Sequence, residues 1–507
     1  MGEFILQAIF EVALDPWAIA LCIIGVIIGT ILGALPGISS TMALAVLMPF
    51  TFGMSIENAM VFLLAVFASS VYGGSISAIL INIPGTPGSI VTQLDGYPMA
   101  RKGRAGEALT YALIASTVGG LLGWIALVLV APLIASAALS FQSPEYAAIT
   151  VFGLAMLAYV SPVSTFLAVI AGVVGVLIAT VGFDATTDVS RFTFGQPALQ
   201  AGLGIVPAAV GIFGLAEVFK SIESGGERVE AVKKLGRIFP PWAEAKKLWP
   251  MQLRGSMIGA FVGAVPAAGS AIAVTVSYAI EKRLSRNPER FGQGSPEGVV
   301  APESANTAAV GGSLIPMITL GIPGDTMTAV LIGALLIHGL RPGPMMFTQN
   351  MDFVAAIYVA LAMAIVFTLL VCLIGNKYFA RILSMPRAVL LSGVTLLCII
   401  GSYAVRNSMF DVLVMTAFGV LGYAMNRINI PTAPVIFGLV LGPILETNIR
   451  RTMIVYNDWG VFLERPITLT ILILSVVAVL FPLIQDARNK KRQPAQATSS
   501  AHPTDQS

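Results

Sequence analysis

Between Asp15 and Glu57 the chain carries no charged residue, and the same holds between Glu57 and Asp95, Glu107 and Glu145, and Glu145 and Asp184. Each interval approaches twice the ~20 apolar residues that cross a bilayer as one helix. Shorter uncharged runs follow from Phe192 to Ala216, Gly255 to Ile280, Phe353 to Asn376, Ala388 to Val405, Ile428 to Leu445 and Pro466 to Gln485. A soluble protein carries about 25% charged residues because its surface must face water; here the share is 11% of 507 residues. A large soluble core accounts for one or two such runs and not for this many. The pattern predicts an all-α, polytopic transmembrane protein with about ten to fourteen crossings, re-entrant hairpins and full crossings looking alike in hydropathy.

The few charges are grouped. Basic clusters at Arg101–Arg104, from Lys220 to Arg254, from Lys282 to Arg290 and from Arg488 to Arg492 are expected on the cytoplasmic face. Glu3, Glu11 and Asp15 open the chain without a basic residue, so the first apolar run is expected to remain as a helix with its N-terminus outside. The polar stretch 220–254 reads as a linker between an N-terminal transmembrane repeat, 1–219, and a C-terminal one, 255–485. Residues 486–507, basic and then rich in Gln, Pro, Ala, Ser and Thr, are expected to form a disordered cytoplasmic tail. Cys22, Cys372 and Cys398 lie in apolar runs without metal-type spacing and read as buried small hydrophobes.

Glycine and proline interrupt the apolar runs, and they do so twice. Ile28-Gly29-Thr30-Ile31-Leu32-Gly33-Ala34-Leu35-Pro36 is echoed by Ile258-Gly259-Ala260-Phe261-Val262-Gly263-Ala264-Val265-Pro266. Gly73-Gly74-Ser75 leading to Ile83-Pro84-Gly85 is echoed by Gly311-Gly312-Ser313 leading to Ile322-Pro323-Gly324. Broken backbone in hydrocarbon leaves polar groups unpaired and persists where protein or a cavity receives them. Matched broken segments in two halves are the sequence mark of a transporter binding site, and an inverted relation between the halves is expected.

At these segments the chain resembles the large membrane subunit of the tripartite tricarboxylate transporters, from about Gly25 to Arg465. The resemblance is carried by Gly33-Ala-Leu-Pro-Gly37, Tyr72-Gly-Gly-Ser75, Asn82-Ile-Pro-Gly-Thr86, Asp95-Gly-Tyr-Pro98 and Arg191-Phe-Thr-Phe-Gly195. It continues through Phe291-Gly292, Pro296-Glu-Gly-Val299, Pro302-Glu-Ser-Ala-Asn306, Gly321-Ile-Pro-Gly324, Gly339-Leu-Arg-Pro-Gly-Pro344 and Glu446-Thr-Asn448. It implies a bacterial inner-membrane importer of citrate-like or related small carboxylates, driven by a Na⁺ or H⁺ gradient. It also implies two partners, a small membrane subunit of a few helices and a periplasmic solute-binding protein. Thr307, where a second Asn usually follows Asn306, and Asp325, where a small neutral residue is usual, depart from the family pattern.

A carboxylate needs hydrogen-bond donors and positive potential, and the deep runs hold no Lys or Arg. Helix N-termini at the breaks supply both. Gly85, Thr86, Gly88 and Ser89, with Ser39, Ser40 and Thr41 beside the first break, are therefore expected to bind substrate together with Gly324, Thr326 and Thr328 of the second half. The plainer reading is that these hydroxyls only repair broken helices. Asn306 is a further substrate candidate. Asp325 and Glu303 are candidates for the coupling ion, because ionisable groups in membrane segments are functional by default. Glu303, directly after Pro302, also suits a helix N-terminus, and Asp325 also suits an interfacial loop. Asp95 and Arg101 read as anchors of a cytoplasmic turn, His338 as a packing residue, and Glu446–Arg451 as an interfacial loop. No cofactor, nucleic-acid contact or metal cluster is expected beyond a Na⁺ site. The sequence contains no phosphate loop for ATP, no His-Glu-x-x-His and no Gly-x-Ser-x-Gly, which argues against ATP-driven transport and intramembrane catalysis. A carboxylate channel working without a binding protein is the alternative.

Overall fold

The computed structural model describes residues 2–160, 164–184, 187, 189–223, 235–382 and 387–492. The described residues are helical apart from connecting segments and one small antiparallel hairpin, β1 (Gly182–Phe183) against β2 (Ser190–Arg191), with Gly182 opposite Arg191. Among them, nine helices are long and apolar enough to cross a bilayer, and Ser40–Thr51, Ser143–Leu157, Thr165–Ala179 and Thr326–Ile337 are shorter apolar helices. The first and last of these short helices follow Pro36-Gly37 and Pro323-Gly324, where the breaks cut an apolar run before it spans. The protein is an all-α, multi-pass membrane protein.

Eight helices carry the argument: α1 (Pro16–Ala34), α2 (Ser40–Leu47), α3 (Ile56–Ile81), α4 (Ala105–Ala138), α5 (Trp249–Ala264), α6 (Gly269–Leu284), α7 (Pro296–Leu320) and α8 (Thr326–Ile337). α3 is buried from Ala59 to Ile81, and α7 from Gly298 to Thr319. Each is the centre of one half of the chain.

The close packing around these two helices follows from glycine spacing. In lipid, helix association relies on van der Waals contact, so small residues that admit a neighbouring backbone take the place of large apolar ones. Gly25, Gly29 and Gly33 of α1 lie against the backbone of α3 at Phe62, Val66 and Ser70. Gly255, Gly259 and Gly263 of α5 lie in the same way against α7 at Ala301, Ala305 and Ala309. At Gly29 a Cβ would stand 2.8 Å from Val66 Cα, and at Gly259 2.7 Å from Ala305 Cα, distances no side chain tolerates. Gly119 and Gly123 of α4 approach α7 from another side, at Ser304 and Ala308.

Several local expectations change. α5 begins at Trp249, inside the expected linker, while 224–234 of that linker lie outside the described residues. The last helix, Pro466–Arg492, runs past the expected start of the tail at 486, and 493–507 lie outside the described residues. Glu446–Arg451 is not a loop: it belongs to the helix Ala433–Tyr456, which carries Pro443 within it. Glu446 there accepts two hydrogen bonds from Arg191, at 2.6 and 3.2 Å, and Arg450 reaches both Glu446 and Asp184. The Glu446 hydrogen bonds hold the Arg191 guanidinium above its ordinary range and tie β2 to that helix. Asp95 is not an exposed anchor but fully buried. Its carboxylate accepts from the amides of Gly292, Gly294 and Ser295 and from Tyr278 Oη, so it caps the loop that starts α7. The three cysteines are buried and free.

Candidate functional site

The two pairs of breaks have the same local construction. α1 and α5 each end on the residue before a proline, Leu35 (φ −79°, ψ 122°) and Val265 (φ −80°, ψ 119°). Proline disfavours the helical region for its predecessor, and at these two positions the chain turns extended. α3 and α7 each end in a left-handed residue, Asn82 (φ 59°) and Gly321 (φ 71°), directly before Ile-Pro-Gly. Gly or Asn in that conformation is the usual way to satisfy the last carbonyls of a helix.

After Ile-Pro-Gly the halves remain parallel in detail. Ser89 Oγ accepts from Thr86 N (3.2 Å) and donates to Thr86 O (2.9 Å). Thr328 Oγ1 accepts from Asp325 N (2.8 Å) and donates to Asp325 O (2.9 Å). Thr86 and Asp325 are thus structural counterparts, and here the two turns diverge. Asp325 Oδ1 accepts from Thr328 N at 2.8 Å and caps α8. Thr86 Oγ1 faces the Ser89 amide in the same capping-box arrangement, but it is buried and completes no full hydrogen bond among the described residues.

The turns meet between the halves. A Cβ on Gly88 would fall on the Asn306 side chain and within 2.8 Å of Ser270 Oγ, which places Gly88, Asn306 of α7 and Ser270 of α6 together. Gly269, next to Ser270, faces Asp325. Thr41 of α2 and Thr326 of α8 join their hydroxyls at 2.7 Å. Gly85 and Gly324 fix the turns to the helices behind them: Gly85 N donates to Gly74 O at 3.2 Å, and Gly324 lies against Ser313.

The expected site residues therefore separate into two groups. Ser39 Oγ accepts from Met42 N and caps α2. Ser89 and Thr328 hold their own turns, so for these three hydroxyls a helix-repairing role is seen, and Asp325, expected as an ion site or an interfacial loop residue, caps α8. Ser40 Oγ, Thr86 Oγ1 and both side-chain amide atoms of Asn306 are buried without a full hydrogen bond among the described residues. Buried polar groups are nearly always paired, and each exception asks for a cause. Ser270 was not among the expected residues. It follows Val265-Pro266 at the spacing at which Ser40 follows Leu35-Pro36, so alignment of the two halves residue by residue identifies it. Thr307, also unpartnered, instead faces α4 at Gly120.

Glu303 is not at a helix N-terminus. α7 starts at Pro296 and continues through Pro302, since membrane helices accept an internal proline when neighbours satisfy the freed carbonyls. Its carboxylate, 0% exposed, accepts from Ser75 Oγ of α3 (2.6 Å), Ser116 Oγ of α4 (3.0 Å) and Thr92 Oγ1. Ser75, Thr92 and Ser116 carry no helical or motif signal for this role. No lysine or arginine occurs in the broken segments 33–41, 82–92, 264–271 and 320–328. One cavity lies apart from these segments, beside Glu11, Asp15, Glu57 and Asp352, and another, apolar, borders the second-half breaks at Ala264, Pro266 and Leu320.

Comparison with known proteins gives the family. The profile described as "Tripartite tricarboxylate transporter TctA family" matches residues 19–437. A protein of Agrobacterium vitis, described as an uncharacterized 52.8 kDa protein in the TAR-I ttuC' 3' region, is 38% identical over 487 residues, 95% of this chain and 96% of its own length. Another from the same organism, described as an uncharacterized protein in the TAR-II ttuC' 3' region, is 37% identical over 240 residues, 46% of this chain and 98% of its own length. No solved structure matches the chain significantly. The chain belongs to the tripartite tricarboxylate transporter TctA family.

Proposed function

We propose that the chain is the permease subunit of a secondary importer that carries small di- or tricarboxylates across the bacterial inner membrane, driven by a cation gradient. In this reading a periplasmic binding protein delivers the substrate and a small membrane subunit completes the transporter. The halves 1–219 and 255–485 act as inverted copies of one unit, with the substrate held between their breaks.

The observation that carries the reading is the set of buried polar atoms unpaired among the described residues, on Thr86 of the first turn and on Asn306 of α7, which meets that turn at Gly88, with Ser40 beside the first break. A hydroxyl or amide left unpaired away from water costs about 1–3 kcal/mol, and a carboxylate bound there would supply the acceptor missing for the hydroxyls and for Asn306 Nδ2. Ser270 adds a donor from the second half. The same geometry argues for cation coupling. No fixed positive side chain stands in the broken segments, while Glu303 and Asp325 bring negative charge nearby. An anion enters such surroundings favourably only when a cation accompanies it.

The test is uptake of labelled citrate and of four-carbon dicarboxylates into proteoliposomes holding the chain and its small partner, with and without the binding protein, under imposed Na⁺ or H⁺ gradients. Accumulation that follows a gradient and needs the binding protein supports the proposal. Passive flux that ignores both supports a channel, and no flux of any carboxylate overturns the substrate class.

A further inference from the structure

We propose that Glu303 is the proton-carrying residue of the transport cycle, its protonation linked to loading of the carboxylate at the Thr86 turn. The inference rests on the carboxylate-transport reading above and adds the identity and location of the coupling ion.

The position of the group is the first argument. Ser75 belongs to the helix that leads into the Thr86–Ser89 turn, and Thr92 follows the turn, so chain segments on both sides of it grip the same carboxylate. Asn306 lies one helical turn along α7 from Glu303. Residues at this spacing have Cβ atoms about 5–6 Å apart on one helix face. Glu303 is thereby adjacent to the binding turn through its hydrogen bonds and to Asn306 through its helix.

The second argument is the company it keeps. Among the described residues Glu303 forms no salt bridge, and the ionisable groups on the elements packed around α7 are engaged elsewhere. On the short helix Thr92–Met99, Asp95 is held by the 292–295 amides and by Tyr278 of α6, while Tyr97 of that helix forms no hydrogen bond to Glu303. Arg254 of α5 pairs with Glu281 of α6 at 2.6 Å, and Lys282 and Arg283 follow in the last turn of α6. Glu107 of α4 pairs with Arg104, and Tyr111 of α4 interacts with Glu244. Glu57 stands in the first turn of α3, far along that helix from Ser75, and Glu297 bonds Ser295 at the start of α7. Tyr72 of α3, within electrostatic reach of Glu303, donates its hydroxyl to Leu109 O and Asn376 Oδ1. The carboxylate is left with neutral hydroxyls alone.

The third argument separates a proton from a metal cation. A bound cation needs oxygen ligands ringed around a common centre. Here Ser75 and Thr92 both bond directly to Glu303 Oε1, and Ser116 bonds to Oε2, so the hydroxyls address the carboxylate itself. A serine or threonine hydroxyl donates to a carboxylate and accepts from a carboxylic acid, so this cradle serves both protonation states. Asp325 differs, since its Oδ1 is committed to the amide and hydroxyl of Thr328 and caps α8.

The step balances simply. Glu303–COO⁻ takes one H⁺ from the side to which the site is open, and the new O–H donates to a cradle hydroxyl. The same proton leaves to the other side when the substrate does, and no bond to the substrate forms or breaks. An anionic substrate beside Glu303 disfavours its charged form, and neutral Glu303 favours the substrate by the same factor. At a separation of about 6–7 Å and an effective dielectric near 20, that factor is on the order of 10- to 100-fold. Affinity is therefore high in acid and falls as pH rises.

The experiment uses the chain with its small partner in lipid nanodiscs. Affinity for a four-carbon dicarboxylate is measured from mildly acidic to mildly alkaline buffer, alongside uptake driven by a pH gradient in Na⁺-free proteoliposomes. Wild type is expected to weaken on the order of 10- to 100-fold across the range, in addition to any titration of the ligand itself. Glu303→Gln, locked neutral, is expected to keep the tight acidic affinity at alkaline pH and to lose accumulation driven by the pH gradient. Ser116→Ala removes one hydroxyl that stabilises the charged form and is expected to move the wild-type midpoint to higher pH; it gives the answer even if Glu303→Gln does not assemble. The wild-type pH slope persisting in Glu303→Gln, an unmoved midpoint in Ser116→Ala, or accumulation following Na⁺ alone overturns the proposal. Wild type that neither binds nor moves a carboxylate fails the transport reading itself, which is a distinct result.

Discussion

Replacing Thr86 by valine keeps the shape of the side chain and removes one buried hydroxyl. Among the described residues that hydroxyl completes no full hydrogen bond, so its loss relieves a desolvation cost and removes at most a weak contact with the Ser89 amide. Stability is expected to stay level or rise by about 1 kcal/mol. Substrate binding is expected to suffer, because a hydrogen bond to a charged acceptor contributes about 1.5–3 kcal/mol, or roughly 10- to 150-fold in Kd. Ser89→Ala is the matching control from the same turn. It removes the acceptor for Thr86 N, while Thr86 O keeps its bond from Ser89 N, and leaving the Thr86 amide unpaired is expected to destabilise by about 1–3 kcal/mol. Apparent melting temperatures in one detergent at one heating rate, together with the shift that saturating dicarboxylate produces, read both quantities. A Thr86→Val protein that melts as low as Ser89→Ala and binds substrate as wild type does would refute the reasoning, since the hydroxyl would then be holding the turn.

Three further predictions test the frame around the site. Gly29→Ala and Gly259→Ala each push a methyl into the backbone of the neighbouring helix, at Val66 and Ala305. Both should destabilise by a similar ~1–3 kcal/mol, whereas Gly393→Ala, with no neighbour within 4 Å, should be neutral or slightly stabilising in the same melting assay. Asp95→Ala leaves the amides of Gly292, Gly294 and Ser295 without their acceptor; a loss of about 3–5 kcal/mol and faster proteolysis near residues 285–295 are expected. Arg191→Gln deprives Glu446 of its bidentate partner but leaves Arg450 in place. Stability should fall by about 1 kcal/mol, with hydrogen exchange rising first in the hairpin 182–191.

Much of this was legible in the chain because proline, glycine and charge act on backbone and solvent directly. Charge-free runs give membrane helices, and Leu35-Pro36 and Val265-Pro266 give helix ends wherever they occur. Side-chain assignments were less legible, because they depend on what arrives from elsewhere. Ser39 and Ser40 are adjacent and chemically identical, yet one caps α2 and the other is unpartnered. Pro302 suggested a helix start that the neighbours of α7 make unnecessary, and Pro443 likewise sits inside a helix. Ser75, Thr92 and Ser116 converge on Glu303 from three different elements, a meeting that no local spacing records. Ser270 could have been found, since the second copy of the break carries it in register with Ser40.

The broken segments offer neutral hydroxyls and amides and no arginine or lysine. A guanidinium fork would hold a carboxylate in a deep well, and a carrier that cannot let go of its cargo turns over slowly however well it loads. Neutral donors make a shallow well whose depth the accompanying ion can raise or lower. In the proposed cycle, once that ion departs on the far side, Glu303 repels the cargo it had tolerated. The missing cation thus sets the pace of unloading, and an arginine engineered beside Asn306 should turn this carrier into a binder.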